Sequence, residues 1–282
     1  MSARRSFLLP TLLAFGFAFL YVPILSMIVF SFNNSRLVTV WDSANSPTVK
    51  WYVLLFENRQ ILDAAWLSIK IACVNATGAA ILGTLAGLVL SRFGRFRGRT
   101  LLAALTTAPL VMPEVIIGLS LLLLFVALEQ AVGWPAGRGV TTITIAHITF
   151  SMSYVAVIVQ SRLSSFDDSL EEAAMDLGAR PAKVFGRITL PLVFPAIMSG
   201  WLLAFTLSWD DLVISQFVAG PGSTTLPMVI FSKVRLGVSP DVNALATIMV
   251  LVVAIGVVLS ALIMQRQERR RQREVQMAAA GD

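Results

Sequence analysis

The run SFDDSLEEAAMDLGARPAKVFGRITLP, residues 165–191, lies between two long apolar stretches and decides how the whole chain is read. It has the makings of two short helices rather than of a linker. Asp168 or Ser169 can cap a helix start, Glu171 and Glu172 suit the positive end of its dipole, and Gly178 can end it. After Pro181 a second amphipathic turn runs through Val184, Phe185 and Ile188, and Leu190-Pro191 leads into the next apolar stretch. A compact, bent projection is the predicted shape. Ala173 and Ala174 are small enough to let another surface approach, while Glu172, Asp176 and Arg180 offer charged contacts around them.

On either side of this run the chain is written for a bilayer. It is 56% hydrophobic and 13% charged, with a mean hydropathy of +0.78, whereas soluble domains carry roughly 25% charged residues. About 20 apolar residues cross a membrane as a helix, and six segments reach that length: 7–32, 64–90, 101–128, 141–160, 192–218 and 244–264. The first follows Arg4 and Arg5 but is too long for a signal peptide and has no small-residue cleavage site, so it reads as a retained helix. The expected architecture is an all-α integral membrane protein, one domain over 1–282, with a loop at 161–191 and a tail at 265–282.

The 22 basic residues orient it. With the first span starting inside, fifteen fall in the amino terminus, the loops 91–100 and 161–191 and the carboxyl tail; six fall outside, and Lys70 stays within the second span. That bias places both termini and the 161–191 loop in the cytoplasm. The pI of 10.1 is thus a topology signal, nucleic acid is not an expected partner, and the tail arginines Arg266 to Arg273 face water or lipid headgroups. The loop from Asn33 to Asp63, with Trp41 and Trp51, suits a docking surface or interfacial belt, and Met228 to Leu236 is an apolar run at the outer interface or re-entering it. Ala79, Gly83 and Gly87 predict a close-packing face on the second span, and the single cysteine, Cys73, is a packing residue.

Acids inside the membrane cost about 2.5 to 3.5 kcal/mol each at a helix centre, so they face cavities or partners. Glu114 and Asp210 fall at similar depths, about 20 Å and about 20 to 25 Å from the cytoplasmic ends of the third and fifth spans, and Asp211 is adjacent. Carboxylates there attract ammonium groups, apolar walls suit the methylenes between two of them, and carbonyls freed by Pro109 and Pro113 can accept ammonium protons. Tyr154 and Trp209 add aromatic faces. A linear diamine fits this set better than a sugar or an anion. The alternative for Asp210 or Asp211 is an ion pair with Lys70 or a place at a helix end. His147, the one histidine, shows no partner cluster in sequence and reads as a satisfied helix residue.

The pattern Glu172-Ala173-Ala174, three residues, Gly178, nine residues, Ile188, one residue, Leu190-Pro191 resembles the cytoplasmic loop motif of permease subunits of bacterial ATP-binding-cassette importers at every defined position. Nearly the whole chain is similar to the second permease subunit of the polyamine importers, the putrescine type above the spermidine type. The segments Leu37-Val38-Thr39-Val40-Trp41, Arg92 to Gly98, Pro109 to Pro113, Asp210 to Ile214 and Asn243 to Thr247 carry that likeness. Glu114 stands where such relatives often have Asp, and Trp209 where they have an aliphatic residue. The resemblance implies a binding-protein-dependent permease fold of type I, MetI-like, in a bacterial inner membrane. It further implies a coupling helix contacting the ATPase through Glu172, Ala173, Ala174, Asp176, Gly178, Arg180, Ile188, Leu190 and Pro191. The implied assembly is a heterodimer with a homologous permease, two ATPase copies holding ATP and Mg, and a periplasmic polyamine-binding protein. This chain itself would hold no cofactor or metal, and no Gly-x-x-x-x-Gly-Lys-Ser/Thr run occurs in it.

Two other classes suit the sequence less well. An ion-coupled secondary transporter of cationic amines predicts inverted repeats, which are not evident by eye, and has no need of the 165–191 projection. An intramembrane enzyme needs a nucleophile with a base, or a metal set, and one His and one Cys in separate spans supply neither.

Overall fold

The computed structural model describes residues 8–35, 37, 40–165, 169–236, 240–255, 258, 262 and 265, and every regular element among them is helical. The predicted cap Asp168, most of the sixth span beyond residue 255, and the tail after 265 lie outside them. Two compact units emerge, 1–59 with 232–282 and 60–231.

In the first unit, α1 (Leu8–Phe30) is apolar on all sides with no buried residue, as expected of a helix whose solvent is lipid. The chain then turns through residues 31–49 into α2 (Lys50–Glu57). Asn33 organises that turn. Its Nδ2 donates to the Val40 carbonyl at 2.7 Å, its Oδ1 accepts from the Asp42 N–H at 2.9 Å, and its own carbonyl accepts from Trp51 Nε1 at 2.6 Å. The side-chain amides of Asn45 and Asn34 donate to Asp42 and hold its carboxyl below the usual range.

The second unit opens with α3 (Arg59–Arg92), whose 34 residues span roughly 50 Å and so outreach the hydrocarbon. The predicted third span is two helices, α4 (Arg99–Val111) and α5 (Glu114–Val132). Pro113 has no N–H and biases Met112 to the extended backbone it adopts, φ −83° and ψ 136°. After α6 (Val140–Ser164) come α7 (Ser169–Asp176), α8 (Pro181–Val184) and a π turn at Phe185–Thr189. The predicted fifth span is also interrupted, into α9 (Leu190–Trp209) and α10 (Val213–Val218). No Gly or Pro marks that break. Asp211 makes it, accepting the N–H groups of Ile214 and Ser215 that would otherwise continue the α9 ladder. The apolar run at the outer loop is α11 (Leu226–Leu236), and α12 (Pro240–Ile255) begins the sixth span four residues before its predicted start, in the first unit.

Among the described residues, five helical stretches are long and apolar enough to cross a membrane: α1, α3, α5, α6 and the run from Pro181 to Trp209. The predicted third segment is represented among them by α5 alone, because its break leaves α4 too short; α12 is likewise short over its described length.

The core of the second unit lies between α3, α6 and α9. Ala76, Ala79, Val155, Val159, Leu163, Val193 and Ala204 pack in one cluster, each less than a twentieth exposed. The glycines permit it: a Cβ on Gly83 would stand 2.6 Å from the Val155 Cβ and 2.7 Å from the Met152 carbonyl oxygen. Backbone meets backbone there. Gly83→Val therefore forces the helices apart, and we expect a loss of about 2 kcal/mol or more, read as a lower thermal unfolding midpoint and lower yield of the purified protein.

Candidate functional site

Both interrupted spans break at the same place in the fold. Glu114 is the first residue of α5, directly after the Pro113 break, and Asp210 and Asp211 fill the break between α9 and α10. Gly118, one turn along α5, brings the two helices together: its Cβ position would lie 2.6 Å from Phe217 Cδ2 and 3.4 Å from the Ile214 Cα. Glu114 is within electrostatic range of both Asp211 and Asp210. The structure thus gathers the three acids that sequence could only place at similar depths. Irregular backbone at membrane depth is tolerated where it is buried in protein or lines a cavity, and both breaks meet at these carboxylates.

The three acids are not equivalent. Glu114 and Asp210 have exposed side chains, and neither forms an ion pair among the described residues. The Asp211 side chain is 7% exposed and its oxygens are engaged. Oδ1 accepts from the Ile214 N–H at 3.2 Å, and Oδ2 accepts from the Ser215 N–H at 2.7 Å and faces His147 Nε2 at 3.1 Å. Lys70, the alternative partner for these acids, lies over the Trp66 ring, 5.6 Å from its centre.

His147, expected to be a satisfied helix residue, is one, but through partners that the sequence did not reveal. It is 2% exposed on α6, with Nδ1 2.7 Å from Ser208 Oγ on α9 and Nε2 3.2 Å from Ser215 Oγ on α10, in addition to Asp211. The partners are 61 to 68 residues downstream, so local spacing carries no sign of them. His147 belongs to a buried polar seam along α6. One end is Thr142, whose hydroxyl donates to the Val218 carbonyl at 2.7 Å. At the other end Ser151 meets Asn75, which also donates to the Ala204 carbonyl at 2.7 Å.

Of the two aromatic residues singled out in sequence, Tyr154 is half-buried, edge-on to Phe150 at 5.3 Å. Trp209 stacks on Phe205 at 6.2 Å, and Phe205 on Trp201 at 5.6 Å, forming a ladder along one side of α9. No hydrogen bond joins Tyr154 or Trp209 to the acids among the described residues.

A second constellation occupies 169–191. Glu172, Ala173, Asp176, Gly178, Arg180, Leu190 and Pro191 are exposed; Ala174 and Ile188 are half-buried. Gly178 takes φ +83°, and the Ala179 N–H returns to the Ala174 carbonyl at 3.0 Å, closing α7 with a left-handed turn. Two contacts went unforeseen. Glu171 Oε1 accepts from Thr189 Oγ1 at 2.6 Å and from Arg92 Nη2 at 3.3 Å, tying α7 to the end of α3 and to the π turn that leads into α9. Leu177 stands 90% exposed just past the end of α7, and Leu170 and Met175 within α7 are also exposed. Apolar side chains so uncovered mark a surface made to be covered.

Residues 79–273 match the family described as binding-protein-dependent transport system inner membrane component. The chain is 57% identical over 270 residues to the putrescine transport system permease protein PotI of Escherichia coli K12, covering 96% of this chain and 95% of that protein. It is 42% identical over 247 residues to the spermidine/putrescine transport system permease protein PotC of the same organism, covering 88% and 90%. In fold it resembles a chain of a bacterial ABC transporter involved in import of the acidic polysaccharide alginate, with a TM-score of 0.70 at 19% identity over 93% of this chain and 94% of that one.

Proposed function

The chain belongs to the binding-protein-dependent transport system inner membrane components, and on that premise we propose that it is the permease subunit of an ATP-driven importer for putrescine, with spermidine as the secondary cargo. The observation that carries this reading is the near full-length identity to a putrescine permease. The chemistry of the two breaks agrees with it. Glu114 and Asp210 are the carboxylates that meet the ammonium groups, Asp211 adds negative charge behind them, and Tyr154 and Trp209 supply aromatic faces along the pathway.

Energy enters through the other constellation. The segment 165–191 faces the cytoplasm with both termini, as the distribution of Lys and Arg supports, and α7 with its exposed apolar tip seats in a separate ATPase. Glu172, Ala173, Ala174, Asp176, Gly178 and Arg180 form the contact, and Ile188, Leu190 and Pro191 lead its movement into α9. The complete importer contains this chain, a homologous permease, two ATPase copies that hold ATP and Mg, and a periplasmic binding protein that docks on the outer loops. This chain holds no cofactor of its own. Closure of the ATPases moves the helices so that the chamber at Glu114 and Asp210 opens to one side and then the other.

Proteoliposomes containing the assembled importer test the reading. Labelled putrescine is expected to accumulate only with ATP on the ATPase side and the binding protein on the other. Accumulation driven by an ion gradient without ATP would replace this reading with a secondary transporter.

A further inference from the structure

The buried imidazole on α6 has no place in the scheme above. The break between α9 and α10 has no Gly or Pro to make it, so side chains must hold it open. Asp211 caps α10 from inside the break, and His147 grips the residues on both sides: Ser208 before it, Asp211 within it and Ser215 after it. A carboxylate has no hydrogen to give. The His147 Nε2–H therefore donates to Asp211, and Nδ1 shares a hydrogen bond with the Ser208 hydroxyl. All four groups are nearly sealed from solvent, so each bond has no competing water.

We propose that His147 is the positioning residue of the substrate site: it clamps the unwound turn of the fifth span and keeps Asp211 turned inward, so that Glu114 and Asp210 are the two carboxylates presented to the cargo. The inference rests on the reading of the acid cluster as the cation pathway. It adds a count. Two exposed carboxylates match the two ammonium groups of a diamine, while the third acid is spent on backbone geometry. Asp210 takes its direction from the turn that His147 holds.

The test uses the assembled importer in proteoliposomes, comparing His147→Leu, His147→Gln, Ser208→Ala, Glu114→Gln and Asp210→Asn. Leucine fills similar volume but leaves Asp211 and Ser208 without their partner, and putrescine uptake is expected to fall at least about tenfold. Glutamine places an N–H where Nε2 stood and should recover uptake to within about threefold of the natural chain. ATP hydrolysis stimulated by the binding protein should stay within about threefold for both, since the 165–191 segment is untouched. Without His147 the Ile214 and Ser215 N–H groups are left to restrain Asp211, and the loosened carboxylate adds a third charge to the site, so the spermidine-to-putrescine uptake ratio should rise for His147→Leu; a residue that only supports folding would leave that ratio unchanged. Near-natural uptake by His147→Leu, an unchanged cargo ratio, or equal losses for Leu and Gln each overturn the proposal. If His147→Leu does not assemble, Ser208→Ala decides, with an expected loss of about threefold from the unpartnered Nδ1, the same bond that His147→Gln gives up, against no loss if the proposal is wrong. Full uptake by Glu114→Gln and Asp210→Asn would instead remove the pathway reading itself, whatever the His147 variants do.

Discussion

Glu114→Gln and Asp210→Asn are each expected to lower putrescine uptake at least tenfold, with the binding protein still stimulating ATP hydrolysis. Both changes keep size and shape and remove only charge. An ammonium leaving water for a partly desolvated site needs a charged acceptor, and such a hydrogen bond is worth about 1.5 to 3 kcal/mol, or roughly ten- to a hundredfold in rate where it supports translocation. The double variant should lose less than the product of the single losses, because the two acids belong to one electrostatic cluster and act on one cargo. The measurement is initial uptake of labelled putrescine beside ATP hydrolysis in the same vesicles. Uptake that persists in both single variants places the cation elsewhere.

Gly178→Val and Leu177→Asp address the other end of the machine. Gly178 sits at φ +83°, where a β-branched residue is strongly disfavoured, so valine should unwind the turn that closes α7. Leu177→Asp leaves the backbone alone and puts a charge at the apolar tip, where the ATPase would have to desolvate it. Both variants are expected to lose at least about tenfold in uptake, and Leu177→Asp should also lose copurification of the ATPase on an affinity-tagged permease. Normal uptake in both would mean that 165–191 does not transmit the stroke.

Much of this arrangement is legible in the residues themselves. The apolar stretches give α1, α3 and α6 nearly to their ends, because continuous hydrophobic length is a strong and local signal. The close-packing face at Ala79, Gly83 and Gly87 is read correctly for the same reason, since small residues at helical spacing have few other uses in lipid. Pro113 announces its break to anyone who weighs the missing N–H above the hydropathy of 101–128, and counting apolar residues alone passes over it. The break at Asp210 to Leu212 is different. It depends on an acid bonding backward-facing amides of the next turn and on a histidine from another helix, and neither is visible within a window of the chain. For the same reason the tie from Glu171 to Arg92, 79 residues apart, is written only in three dimensions.

The polar seam of α6 has a consequence for how the protein is made. Residues 140–164 leave the ribosome before 190–218, so Thr142, His147 and Ser151 are already in the bilayer when the two aspartates arrive. The fifth segment is apolar up to Trp209 and carries its two acids directly after it. In the folded chain Asp211 meets a donor on a helix made before it, so the order of synthesis and the order of contact agree.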